Sequence, residues 1–224
     1  MFTVSNAWKA VHPQAHAGIL VMRDVTNPPQ HAELESRKQR LQDELRSRFT
    51  GQDRSAIAAL SPIQAYNAYY KPFKKSYHVQ LQLESIVFKG KSLPSVAALV
   101  EAMFMAEIKN LLLTAGHDLD TLQLPVALDV ATGEEQYTLL RGTEQVTKAG
   151  DMLMVDGVGI ISSVIYGPDQ RTQITEKTQN AMFAVYAPEG INADEVHQHL
   201  EDIRENVLVV SPAARVELLK VFGA

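Results

Sequence analysis

The chain contains no cysteine among its 224 residues. Disulfides, thiolate nucleophiles and zinc–thiolate centres are therefore excluded, and packing and hydrogen bonds must hold the fold. No apolar run reaches the roughly 20 residues that a membrane-spanning helix needs, so no membrane partner is expected. The opening residues, Met1-Phe2-Thr3-Val4-Ser5-Asn6-Ala7-Trp8, lack a basic segment followed by an apolar one. No secretory leader is expected, and the cytoplasm is the expected compartment. Positive charge is also scarce: 21 Lys and Arg stand against 26 Asp and Glu, for a net charge of -5. Such a chain does not grip nucleic acid with its whole surface, and any RNA contact must come from local basic patches. Gly157-Val158-Gly159 lacks the third glycine and the following helix of a dinucleotide loop, and no nucleophile elbow, Walker loop or kinase signature occurs.

Hydrophobic residues make up 46% of the chain, enough for one good core. Residues 17–22 form an apolar strand candidate stopped by Asn27-Pro28-Pro29. Residues 30–49 carry Leu34, Leu41, Leu45 and Phe49 as a stripe with mixed charges elsewhere, a solvated amphipathic helix. A second helix is expected over residues 55–70, restarting at Ser61-Pro62, and a third over 79–88. Residues 96–113 are nearly all apolar, so this helix must be buried on most sides against a sheet. Hairpins are expected between residues 125–130 and 136–140, turning at Thr132-Gly133, and between 152–155 and 160–166, turning at Asp156-Gly157. A short strand follows at 181–186. Asn192 caps an acidic helix to about Asn206, and residues 215–222 form an edge strand. The expected fold is α+β: one domain with a mainly antiparallel sheet packed on a long buried helix. Residues 1–62 supply a helical N-terminal portion packed on a main domain of residues 63–224.

Several residues could carry chemistry. His12 with His16 and His197 with His199 lack a third ligand at a recognised spacing, so surface histidines are expected and no metal or cofactor is. Asp118 and Asp120 suit magnesium only if a phosphate adds ligands; the commoner role of an aspartate here is capping the next short helix, Asp120-Thr121-Leu122. Glu101 lies in apolar surroundings and must be paired, protonated or lining a pocket. Tyr66, Tyr69 and Tyr70 adjoin Lys71, Lys74 and Lys75, a mix that suits single-stranded RNA but equally suits a core beside a solvated loop. Asp169, Gln170, Arg171 and Thr172 follow a Gly-Pro turn; Arg171 either clamps an anion or pairs with Asp169.

Taken in order, these segments resemble a known family. Tyr66-Asn67-Ala68-Tyr69-Tyr70-Lys71-Pro72, then Leu93-Pro94-Ser95-Val96, the apolar helix, Ala115-Gly116-His117-Asp118-Leu119-Asp120, two strands, and Arg171-Thr172 with Thr178-Gln179-Asn180 are similar to the B3/B4 domain of the bacterial phenylalanyl-tRNA synthetase beta subunit. The free-standing B3/B4 proteins are the closer likeness, and it covers about residues 63–222. In the synthetase that domain holds an editing pocket, between two sublobes, that admits a misattached tyrosyl group and positions water on its ester. The resemblance implies a pocket built from Glu101, His117, Asp118, Asp169, Gln170, Arg171 and Thr172, with Lys71, Lys74 and Lys75 as RNA contacts; it assigns no catalytic residue. It also departs from the family pattern. Met103 and Phe104 stand where the synthetase has Thr-Asn, and Ala115 where it has histidine, although His117 follows two residues later. Its glutamate falls near Gln170. The free-standing relatives carry asparagines and an aspartate where this chain has Ala97, Glu101 and Phe104. The synthetase's catalytic domain is absent from the chain, so aminoacylation is not expected. Two functions follow from the likeness: a tRNA-binding protein that deacylates mischarged aminoacyl-tRNA in trans, or a non-catalytic module for an amino acid, a small metabolite or RNA. DNA is not an expected partner.

Overall fold

A computed structural model describes residues 2–223. Its elements are β1 (Phe2–Val4), α1 (Asn6–Val11), β2 (His16–Arg23), α2 (Ala32–Arg48), α3 (Arg54–Ala58), α4 (Ser61–Tyr70), α5 (His78–Lys89) and α6 (Ala98–Asn110). Then come β3 (Thr114–Asp118), β4 (Val126–Val130), β5 (Gln136–Thr138), β6 (Glu144–Val146), β7 (Met152–Val155), β8 (Ile160–Ser163) and β9 (Gly167–Pro168). β10 (Asn180–Ala187), α7 (Ala193–Val210) and β11 (Arg215–Gly223) complete the chain. This is the α+β architecture expected from the sequence.

Two sheets organise the core. The four-stranded one runs β11-β2-β10-β3 and is antiparallel throughout. Its middle strands are apolar on both faces, since Ala17 to Met22 and Ala181 to Ala187 are all buried. α7 crosses β2 so closely that a Cβ on Gly18 would meet Val196 at 2.7 Å, which explains a glycine inside a strand. The second sheet runs β1-β4-β7-β8-β9, with β1 parallel to β4 and the other pairs antiparallel.

The apolar helix is α6, buried on most of its surface against α7, α2 and β3. It ends three residues earlier than the hydrophobic run suggests, at Leu111, whose φ of 61° is left-handed and stops the helix. Asn192 forms the expected capping box with Glu195, and β11 is an edge strand. Three expectations are corrected. β4 does not pair with β5: it lies between β1 and β7, while β5 pairs with β6 across a separate turn. The short helix expected at Asp120-Thr121-Leu122 is a 3₁₀ turn one residue earlier, Leu119–Thr121, and Asp118 caps it. His199 is fully buried rather than on the surface, because Thr114 and Asn110 satisfy both ring nitrogens at 2.7 and 3.1 Å.

Candidate functional site

A cavity of about 310 Å³ opens between α6, β3 and the β8–β9 segment. Val100, Met103 and Phe104 form its helix wall, Ala115 and Gly116 its strand wall, and Ile165 to Pro168 its far side. Met103, Phe104 and Ala115, where the sequence resemblance leads one to expect polar residues, all line this space. Its wall is therefore apolar. The tyrosine cluster holds it rigid from behind: Tyr66 stacks on Tyr77 at 4.1 Å, and Tyr66, Tyr70 and Tyr77 bond the backbones of Leu113, Val164 and Leu111. Tyr66 and Tyr70 are core residues and Tyr69 is half-buried, so these rings stack on one another and not on a ligand.

The polar side chains of the lining are His78, Thr114, Ser163, Tyr166, Tyr186 and one carboxylate, Glu107. Glu107 follows Met103 by four residues and Phe104 by three, which puts it on the same face of α6 one turn further on. Its Oε2 accepts the Thr114 N–H at 3.0 Å; its Oε1 lies 3.9 Å from His78 Nε2. Burial pushes the Glu107 carboxyl up to about 8, partly opposed by the Thr114 hydrogen bond.

The loops around Asp118 and Arg171 meet, but they are not among the residues that line the cavity. The Asp118 N–H donates to the Thr172 carbonyl at 2.8 Å, and the Thr178 hydroxyl donates to Asp118 Oδ2 at 2.7 Å. Arg171 reaches Asp156 at 2.8 Å, Asp169 at 3.7 Å and the Thr121 carbonyl at 3.0 Å, which locks the loop to its neighbours. Gln170 is exposed and anchored through its backbone N–H to Thr138. His117 is fully buried, with Nδ1 2.7 Å from Thr172 Oγ1 and Nε2 3.3 Å from Ser162 Oγ. Because the Thr172 hydroxyl donates to Asp169, Nδ1 of His117 must carry the proton and Nε2 must accept from Ser162. Ser162 in turn bonds the Tyr186 hydroxyl, and Tyr186 lines the cavity. Burial, with Arg171 nearby, lowers His117 to about 3, so the ring is neutral.

Glu101 is not at the cavity. It sits 3.3 Å from the buried Lys38 of α2 and accepts the Val96 N–H at 2.8 Å, a paired carboxylate that fastens the entry to α6. Six residues separate it from Glu107, which places the two on different faces of the helix. Lys71, Lys74 and Lys75 are exposed. Lys75 lies 5.2 Å over the ring of Tyr166, a cavity residue, and Lys74 faces Lys148 and His12 in a more open groove of about 610 Å³. Among the described residues, no three histidine or acidic side chains come together as around a metal ion, and no helix is long and apolar enough to cross a membrane.

Sequence reading missed Glu107, although its spacing from Met103 and Phe104 was a usable signal. The B3/4 domain family matches residues 64–204 of the chain. No curated protein matches it. Among solved structures, it is similar to an N-terminal fragment of the phenylalanyl-tRNA synthetase beta subunit from Pyrococcus horikoshii. The TM-score is 0.51 and the identity 11%, over 100% of this chain and 54% of that one. The chain thus spans about half of that fragment, and at this identity the likeness is one of fold.

Proposed function

This chain belongs to the B3/4 domain family, and on that premise we propose that it binds the aminoacyl end of a tRNA, with an apolar amino-acid side chain held in the cavity beside α6. One observation carries the reading. Met103, Phe104 and Ala115 occupy the positions of the editing domain's polar residues in the resemblance, and they line a cavity of amino-acid size with apolar walls. Lys75 over the cavity residue Tyr166, with Lys74 and Lys148 in a second groove, offers cations for the backbone of the RNA 3′ end. A net charge of -5 is compatible with this, because only the terminus of the RNA is gripped.

A second reading, ester hydrolysis, is favoured by Glu107. A cavity carboxyl pushed up to about 8 sits near the pH at which a general base works best. His117 is not available for that role, since its two nitrogens are already committed to Thr172 and Ser162.

The test presents purified protein with uncharged tRNA and with tRNA charged with tyrosine, phenylalanine, leucine or isoleucine, following both retention at low salt and loss of the ester. Tighter binding of at least one apolar aminoacyl-tRNA than of uncharged tRNA is expected. Equal binding of all forms overturns the proposal; binding of free amino acid alone leaves a small-ligand module. Ester loss that disappears in Glu107→Gln supports the second reading.

A further inference from the structure

Glu107 has one oxygen with a structural task and one without. Oε2 accepts the Thr114 N–H and thereby joins the end of α6 to the start of β3. Among the described residues Oε1 accepts no hydrogen bond, and the basic side chain nearest it is the imidazole of His78 at 3.9 Å, which is largely exposed. Glu107 itself is 3% exposed. Oε1 is not sealed from solvent, so it is open to a ligand that enters the cavity. Glu107 is also the single carboxylate among the residues lining the cavity, and none of the others is lysine or arginine.

We infer that Glu107 is an ammonium anchor: the cavity accepts ligands that carry an apolar side chain and a free primary ammonium, and it rejects those whose amine is acylated. The inference rests on the aminoacyl reading above and names the feature that reading leaves open. The walls around Glu107 set the class. Val100, Met103, Phe104, Leu113 and Ile174 make most of the wall apolar and favour an apolar group beside the amine. A carboxylate in such surroundings repels an anionic ligand and discriminates strongly for a desolvated cation. An acylated amine has neither the charge nor the spare protons to meet Oε1.

A change in proton count accompanies binding. The ionisable groups facing Glu107 are His78 from α5, Tyr66 and Tyr70 from α4, Tyr77 just before α5, and His199 from α7 behind Thr114. The tyrosines are raised and neutral, and burial lowers both His78 and His199, so none supplies a fixed positive charge at pH 7. Glu107 is then largely protonated when the cavity is empty and ionised when an ammonium fills it, and the ligand displaces close to one proton.

The experiment compares tRNA charged with phenylalanine, the same material after acetylation of its amine, and uncharged tRNA, on wild type and on Glu107→Gln. Glutamine keeps an acceptor for Thr114, and a melting temperature at pH 7 no lower than that of wild type verifies the fold. Wild type is expected to prefer the free amine over the acetylated one by roughly 10- to 100-fold, and Glu107→Gln to bind both alike. Calorimetry with phenylalanine methyl ester in two buffers of different ionisation enthalpy is expected to show release of about one proton in wild type and none in the variant. Equal affinity for free and acetylated forms in wild type, both above uncharged tRNA, overturns the inference and leaves the aminoacyl reading standing. Failure of both forms to exceed uncharged tRNA overturns the two together.

Discussion

The Asp118 and Arg171 loops and the cavity beside α6 lie close together, yet their polar atoms behave in opposite ways. In the loops nearly every donor and acceptor is consumed internally: Arg171 by Asp156, Asp169 and Thr121, Thr172 by Asp169 and His117, Asp118 by Thr178 and a backbone N–H. In the cavity one carboxylate oxygen is left free amid apolar walls. Dense polar sequence here marks a joint between segments, and the open chemistry sits where polar residues are few. A buried network that is fully satisfied rigidifies; a partly satisfied one is where a ligand completes the pattern.

Breaking the joint should cost stability and spare the cavity's specificity. The largest expected effect is from Asp169→Ala, which strands the buried Thr172 hydroxyl and N–H and removes a partner of Arg171. A loss of about 3 kcal/mol in urea unfolding is expected, with the preference among charged tRNAs unchanged; a changed preference with unchanged stability would merge the two regions into one site.

The next effect separates them by pH. The unfolded Glu107 carboxyl ionises above its ordinary 4.5, whereas the folded one holds its proton to about 8, so stability falls as pH rises across that window. His117 and His199, both lowered from 6.5 to about 3, act only below about 6.5, where the unfolded imidazoles take up protons and stability falls with falling pH. Between pH 6.5 and 8 the ligand-free protein should therefore lose about 1.4 kcal/mol per pH unit, and Glu107→Gln should flatten that stretch. A slope that survives the substitution assigns it elsewhere.

Replacing Lys71, Lys74 and Lys75 together with alanine should weaken charged tRNA about tenfold at low salt and reduce the salt slope by about 2, since each single-strand phosphate contact contributes about 0.7. Amine discrimination should persist. The smallest effect belongs to Leu140→Ser on the exposed cavity lip, where stability should move by less than about 0.5 kcal/mol while the preference for larger apolar side chains declines. A stability loss of several kcal/mol there would show that the lip is core.

The parts of the fold legible in sequence were those set by local pattern. The β7–β8 hairpin follows from Asp156-Gly157, the α7 start from Asn192 and Glu195, and the burial of α6 from its apolar run. The failed hairpin shows the limit. β4 gives up β5 for β1, a three-residue strand from the far end of the chain, and no local rule announces such a partner. The site divides the same way. His117, Asp118 and Arg171 were conspicuous because they are polar, but whether a polar residue faces a neighbour or a void depends on long-range packing. Glu101 and Glu107 are alike in sequence context. Lys38 arriving from α2 fills the needs of one, and nothing of that kind reaches the other.

The position of β2 has a consequence for how the protein is made. It is synthesised before helices α2 to α6, yet its two neighbours are β10 and β11, which come after all of them. Until residues 180–223 have emerged, Ala17 to Met22 have no strand on either side. A growing chain therefore carries an unpaired, wholly apolar strand until then, a sticky edge that helices α2 to α6 can shield but not complete. Fragments cut at the start of the family match inherit the reverse problem. They keep β10 and β11 and lose the strand that joins them.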